Sequence, residues 1–391
     1  MQEMHSIGES HGPSFFWVVI NCPPYRKDIF VNKEQLLIAT AHPEFASASV
    51  TELKQLDKRL TRIEELAPGV TLCGTPDVTA LMRLAARERP IFVRHLAPVQ
   101  TIANLSNTAE DLAELATAIA DLPGLALLER GTHFAVQSRL AQTEEHQGGR
   151  PYSSGQINQA LAEMLTEETG AIESIKKPQV IISLLCTIDK GYMGISTAEE
   201  NLSSWPGGAH RFAQTPEQIS RAEFKLLEAL DVFGVTLPSQ GHVLDLGAAP
   251  GGWTRLLLDA GLNAVAVDPA NLDPRLTRGK RLEHYRGYAE NYLDEAIRKA
   301  IHFDVIVNDM RMDAREAARQ LVKASLCLRA DGFMISVFKL PHAAPGINPL
   351  TNLKEALNIL SKRFSLVQAR QLFHNRQEVT VVAAYPLQTK R

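Results

Sequence analysis

From His242 onward, short apolar runs alternate with stretches in which apolar residues recur at helical spacing. The apolar runs predict strands over His242–Gly247, Ala264–Pro269, Glu283–Gly287, Asp304–Asp309, Phe333–Phe338, Ser365–Phe373 and Glu378–Tyr385. Helices are expected over Trp253–Ala260, Ala289–Ala300, Ala314–Leu328 and Leu350–Arg363, with another, Ser220–Phe233, before the first strand. Such alternation indicates a doubly wound, parallel sheet. Only His374–Gln377 separates the last two strands, too little for a crossover helix, so that pair is expected to be antiparallel.

The first half is less regular. Strand patterns occur at Phe15–Ile20, Gln35–Ala41, Pro90–His95 and Phe134–Leu140, and a helical pattern at Ser49–Arg62. A helix starting near Ser153 or Ser154 places Ile157, Leu161, Met164 and Leu165 on one face. Val180–Thr187 and Tyr192–Thr197 read as a hairpin turning at Ile188–Gly191. Glu200–Ile219 is rich in Ser, Pro and Gly and reads as a linker. The expected organisation is an N-terminal α+β module (1–95), a second module (96–199), a linker (200–219) and an α/β domain (220–391).

Composition narrows the class. The 391 residues suit more than one domain. No apolar run approaches the roughly 20 residues of a membrane span. Cys22, Cys73, Cys186 and Cys327 are scattered, which argues against a disulfide framework or zinc site and for a reducing cytoplasm. Net charge is −3, yet Arg311–Arg391 holds 13 Lys/Arg against 5 Asp/Glu. A basic segment on an acidic protein is a candidate footprint for a polyanion.

Two local patterns carry chemistry. Val243–Thr254 reads VLDLGAAPGGWT: a strand, a turn of small residues, then a helix. Glycines let a ligand approach the backbone, and a helix start offers free N–H groups. Asp268 closes the next strand, where an acid can accept hydrogen bonds from a ribose diol. Neither GxGxxG nor a GK[ST] loop is present, which favours a nucleoside without a phosphate chain, as in S-adenosylmethionine. The second pattern is FMISVFKLPH, which puts Lys339 at the tip of an apolar strand. Lysine is rarely buried alone, so it either snorkels or meets partners there.

DLGAAPGGWT, SRAEFKLLEAL (Ser220–Leu230), VNDM (Val307–Met310) and VFKLP (Val337–Pro341) resemble the FtsJ/RrmJ-type ribose 2′-O-methyltransferases. QARQLFHNRQEVTV (Gln368–Val381), YMGIS and SSWPGG resemble the RlmM-type branch, which methylates a cytidine ribose in large-subunit ribosomal RNA and carries a THUMP-like RNA-binding region. The resemblance implies a Rossmann-like α/β methyltransferase domain, with seven strands and an antiparallel last one, preceded by THUMP-like α+β modules. It implies a tetrad of Lys225, Asp309, Lys339 and Glu378. In it Lys339 is the expected base, Asp309 and Lys225 orient it and the hydroxyl, and Glu378 holds a lysine. It implies S-adenosylmethionine as cofactor, held by Ser220, Asp245, Gly247, Ala249, Pro250, Gly251, Gly252, Trp253, Asp268, Tyr288 and Asp309. The expected partner is ribosomal RNA, with no membrane and no metal site.

The chain departs from the family at two points. Asp309-Met310-Arg311-Met312 stands where many relatives have Asp-Met-Ala-Pro, which makes Arg311 a candidate phosphate contact. Tyr288 stands where relatives place an acid for the adenine amine. Arg370 and Arg376 flank the last connection and are expected at the substrate mouth; Lys362 and Arg363 add to the basic balance, and Arg139, Lys176 and Lys177 are further RNA candidates. The competing readings are a methyltransferase for another RNA and a catalytically silent RNA-binding homologue.

Overall fold

The computed structural model describes residues 34–141, 150–276, 279–342 and 348–387. The strand expected over Phe15–Ile20, and Cys22, lie outside them.

The chain begins with β1 (Gln35–Thr40), α1 (Ala46–Leu56), β2 (Thr61–Ala67), β3 (Val70–Thr75), α2 (Val78–Glu88) and β4 (His95–Val99). These strands form an antiparallel sheet in the order β2-β3-β1-β4. Leu53, Leu81 and Ala85 of its helices pack on Leu37 and Ala39.

Two expectations fail here. Pro90–His95 is not a strand: Ile91 and Phe92 donate their N–H groups to the Glu52 carboxylate at 3.0 and 2.8 Å, and pairing starts at His95. Pro98 within β4 costs no ladder bond on an inner neighbour, because β4 is an edge strand. The helix expected to reach Arg62 stops at Leu56, because Asp57 turns extended and accepts the N–H of Arg59 at 3.0 Å.

A second sheet follows, from β5 (Thr101–Asn104), α3 (Asp111–Ala120), β6 (His133–Leu140), α4 (Ser154–Thr169), β7 (Ile172–Glu173), β8 (Val180–Cys186) and β9 (Lys190–Thr197), ordered β5-β9-β8-β6-β7. Ser153 caps α4 in a capping box with Gln156 and buries Ile157, Leu161 and Leu165 against β6 and β8.

The third sheet has seven strands. After α5 (Glu223–Val232) come β10 (His242–Leu246), α6 (Gly252–Asp259), β11 (Asn263–Val267), β12 (Leu282–Tyr285), α7 (Ala289–Arg298), β13 (Phe303–Asn308), α8 (Ala314–Ala324), β14 (Leu328–Lys339), α9 (Pro349–Ser361), β15 (Phe364–Arg370) and β16 (Glu378–Pro386). The order is β12-β11-β10-β13-β14-β16-β15. The strands from β10 to β14 are parallel; β16 runs antiparallel between β14 and β15. Side-chain alternation distributes the core: Val243, Val305 and Val337 face α5 and α6, and Leu244, Ile306 and Phe338 face α7 to α9.

Arg370 fastens this domain to the first sheet. Its guanidinium is buried, not at a substrate mouth, and donates to the carbonyls of Pro90 (2.9 Å) and Val93 (3.1 Å). Arg363 is likewise engaged, with Ser325 Oγ (2.7 Å) and the Leu387 carbonyl. Arg311, Lys362 and Arg376 remain exposed.

Candidate active site

The parallel strands all end on one edge, where open α/β sheets bind ligands. Asp309 follows β13, and Lys339 is the last residue of β14. Because β16 is antiparallel, its first residue, Glu378, pairs in register with Lys339. Lys225 reaches the same point from the first turn of α5.

The four charges alternate. Lys339 Nζ lies 3.0 Å from Asp309 Oδ1 and 2.5 Å from Glu378 Oε1. Lys225 Nζ lies 2.7 Å from Glu378 Oε2 and 3.4 Å from Asp309. The four side chains keep between 15% and 24% of their exposure, so the cluster is sheltered yet open at one side. Burial pulls the Lys339 ammonium toward neutrality, but Asp309 and Glu378 outweigh it and hold its pKa above the ordinary lysine value. Burial pushes Glu378 up, while Lys225 and Lys339 bring it below the ordinary carboxylate range. Lys339 therefore meets partners and does not simply snorkel.

Asn308 fixes the loop that carries Asp309. It is fully buried, donates from Nδ2 to Ser336 Oγ at 3.0 Å, and accepts the Met310 N–H at 3.0 Å.

Beside the tetrad, β10 runs into Gly247 (φ +75°), Ala248, Ala249, Pro250 and Gly251 (φ +108°) before α6 begins at Gly252. A side chain at Gly247 would press on Met310, and one at Gly251 on Leu276. Asp268, half-exposed, accepts the N–H of Ala249 at 3.1 Å and of Ala270 at 2.8 Å, which ties the loop to the end of β11. Ser220 Oγ is buried without a hydrogen-bond partner, next to Gly252 at the start of α6. Tyr288, 69% exposed, stands just before α7.

Asp245 and Trp253 lie behind the loop and support it. Asp245 is 2% exposed and accepts the Thr254 hydroxyl at 2.6 Å. Burial, aided by Asp309 and Asp268, pushes its carboxyl up to about 7. Trp253 Nε1 donates to the Ala222 carbonyl at 2.7 Å, joining α6 to the entry of α5.

Sequence reasoning missed Glu223. It is buried, pairs with Arg255, and accepts the Ile219 N–H at 2.7 Å, so it holds Ser220 in place. Ser220-Arg221-Ala222-Glu223 matches the S-x-x-E pattern, a signal that was available, although only its Glu half forms: Glu223 accepts the Ser220 N–H at 3.4 Å while Ser220 Oγ caps nothing.

A separate concavity of about 1240 Å³ opens among the second sheet, the 200–219 segment and the end of α5. Gln137, Arg139, Lys176, Trp205, Arg211 and Phe212 line it.

The seven-stranded order, the glycine loop after the first strand and the acid after the second define a Rossmann-like methyltransferase fold. Within it, residues 218–340 match the family model of the FtsJ-like methyltransferases. Among curated proteins, the ribosomal RNA large subunit methyltransferase M of Halorhodospira halophila is 34% identical over 182 residues, covering 46% of this chain and 51% of that protein. Its namesake from Psychromonas ingrahamii is 32% identical over 214 residues, covering 50% and 55%. That from Xanthomonas oryzae pv. oryzae is 27% identical over 275 residues, covering 67% and 75%. The chain thus spans about half the length of the first two relatives.

Proposed function

We propose that this protein transfers a methyl group from S-adenosylmethionine to a ribose 2′-hydroxyl of large-subunit ribosomal RNA, in the cytoplasm. The observation that carries the reading is the alternating Lys225-Asp309-Lys339-Glu378 cluster beside the glycine loop.

The residues present fit the cofactor. Gly247 and Gly251 leave a cradle that a Cβ would fill, Asp268 would offer a half-exposed carboxylate to a ribose diol, and Ser220 Oγ offers an unpaired polar group. Tyr288 has the ring to stack on an adenine, in place of a carboxylate acceptor. When bound, S-adenosylmethionine supplies an electrophilic methyl group. The rest is done by the chain. A 2′-hydroxyl attacks well only as its proton leaves, and Lys339, at the tip of β14, is the proposed acceptor of that proton. Asp309 and Lys225 orient the lysine and the hydroxyl, and Glu378 holds both ammonium groups.

RNA is the polyanion that exposed Arg311, Lys362 and Arg376 suit. The region within 96–199, together with the 200–219 segment, is proposed to bind RNA through the concavity that holds Lys176 and Arg211 beside Trp205 and Phe212, a pairing of cations and rings suited to single strands, while Arg139, bound to Thr40 Oγ1 at 3.0 Å, helps to build its wall.

The test is incubation with methyl-labelled S-adenosylmethionine and unmodified ribosomal RNA, alongside Lys339→Ala. Label in one 2′-O-methyl nucleoside, lost in the variant while cofactor binding persists, is expected. Normal transfer by the variant overturns the role of Lys339. Cofactor and RNA binding without transfer to ribosomal or transfer RNA leaves the silent RNA-binding reading.

A further inference from the structure

We propose that Glu228 is a positioning residue that sets the separation of Lys225 and Glu378 by clamping the segment before β16 onto α5. The inference rests on the tetrad's proposed catalytic role.

Glu228 is 1% exposed and lies one turn beyond Lys225 on the same helix. A buried carboxylate needs partners, and this one has three, all from one short segment. Its Oε1 accepts the Phe373 N–H at 2.6 Å, and its Oε2 accepts the His374 N–H at 2.9 Å and lies 2.8 Å from His374 Nδ1. Charge-assisted bonds of this kind are the strong ones. Four residues after His374 the chain reaches Glu378. One helix turn and one short loop therefore connect the two tetrad members through a single side chain.

The segment is braced from the other side too. Arg94, from the turn before β4, donates to Gln371 Oε1 at 2.8 Å and to the Leu372 carbonyl at 2.7 Å. Asn375 stiffens its interior: its Oδ1 accepts the Leu372 N–H and the Thr380 hydroxyl, each at 3.0 Å. Gln371 Nε2 adds a bond to the Arg376 carbonyl at 3.0 Å. A segment so held transmits the position of Glu228 to Glu378. Among the described residues no hydrogen bond or ion pair joins Glu228 to the four tetrad side chains, so its proposed influence runs through the segment it holds.

Glu228→Gln is the decisive variant, with Glu228→Asp, which keeps the charge but shortens the reach, as the second if the amide fails to fold. Two readouts are needed. In selectively ¹³C-glutamate-labelled protein, the Glu378 carboxyl titrates below the ordinary range because Lys225 and Lys339 face it, with Asp309 across the cluster. In Glu228→Gln its midpoint is expected to rise toward the ordinary value as Lys225 and Glu378 drift apart. In transfer assays kcat is expected to fall at least tenfold, while KM for S-adenosylmethionine stays within twofold. An unshifted Glu378 titration in a folded variant overturns the proposal, whatever the activity. If the wild-type protein transfers no methyl group, the functional reading fails, and the titration still decides whether Glu228 positions Glu378.

Discussion

At the residue scale, the tetrad makes a prediction about pH. Lys339 stands above the ordinary lysine pKa, so the folded protein keeps it protonated across the neutral range. If it is the base, the rate rises with pH because only its neutral form accepts the proton. The expected kcat profile has a slope of about +1 on a logarithmic scale up to about pH 9, with no plateau near neutrality, and Lys339→Arg abolishes transfer. A plateau below about pH 8 shows that substrate and cofactor depress the lysine. The stability contributions run oppositely for the two partners. Glu378, depressed on folding, contributes above its unfolded pKa and loses its contribution as pH falls through its folded value. Lys339 contributes below its unfolded pKa and loses its share as pH rises through its folded value. A second prediction concerns Ser220. Ser220→Ala removes a buried hydroxyl without a partner, so melting temperature holds or rises slightly while calorimetric affinity for S-adenosylmethionine falls about tenfold, the worth of one hydrogen bond. Lys339 was legible in the sequence because a charge at the tip of an apolar strand is anomalous on its own. Glu228 was not: on a helix it reads as an ordinary polar position, and its partners lie some 145 positions away.

At the scale of elements, periodicity located the seven strands of the third sheet and the helices between them, because each buries a face against a common core. It failed at β2, whose first five residues are all exposed, at β3, which follows it across a tight turn, and at 90–94, where Glu52 satisfies backbone N–H groups that an apolar run would give to a sheet. The loop from β10 to α6 offers the clearest test of an element. Gly251 combines φ +108° with a neighbour, Leu276, in the space a Cβ would fill. Gly251→Ala is expected to destabilise by about 1–3 kcal/mol, read by denaturant unfolding, and to weaken cofactor binding in parallel. Asp245, behind the same loop, is held near 7 by burial. Its raised pKa means the folded form binds the extra proton between the unfolded value and about 7, so stability falls as pH rises through that window. In Asp245→Asn the melting temperature is expected to vary less between pH 5 and pH 8 than in the wild type.

At the scale of the whole molecule, the basic C-terminal part proves to hold two populations. Arg370 and Arg363 spend their donors on backbone carbonyls and a hydroxyl, whereas Arg376 faces solvent. Charge counting cannot separate them, since burial depends on which module packs where. Arg376→Ala is expected to weaken RNA binding and reduce the salt slope of its affinity by about one, as loss of one phosphate contact requires. Arg370→Met leaves that slope unchanged but costs about 1–3 kcal/mol in urea unfolding, because the carbonyls of Pro90 and Val93 lose their donors.

The place of β16 between β14 and β15 has a consequence in time as well as in space. Translation delivers the cofactor cradle, from Ser220 to Asp268, long before Glu378. In a nascent chain that has reached β15, that strand has no ladder partner yet, because it pairs only with β16. Until β16 enters, Lys339 lacks its in-register partner and the tetrad is one carboxylate short. Completion of the charged cluster thus waits for β16, whereas the glycine loop after β10 precedes it.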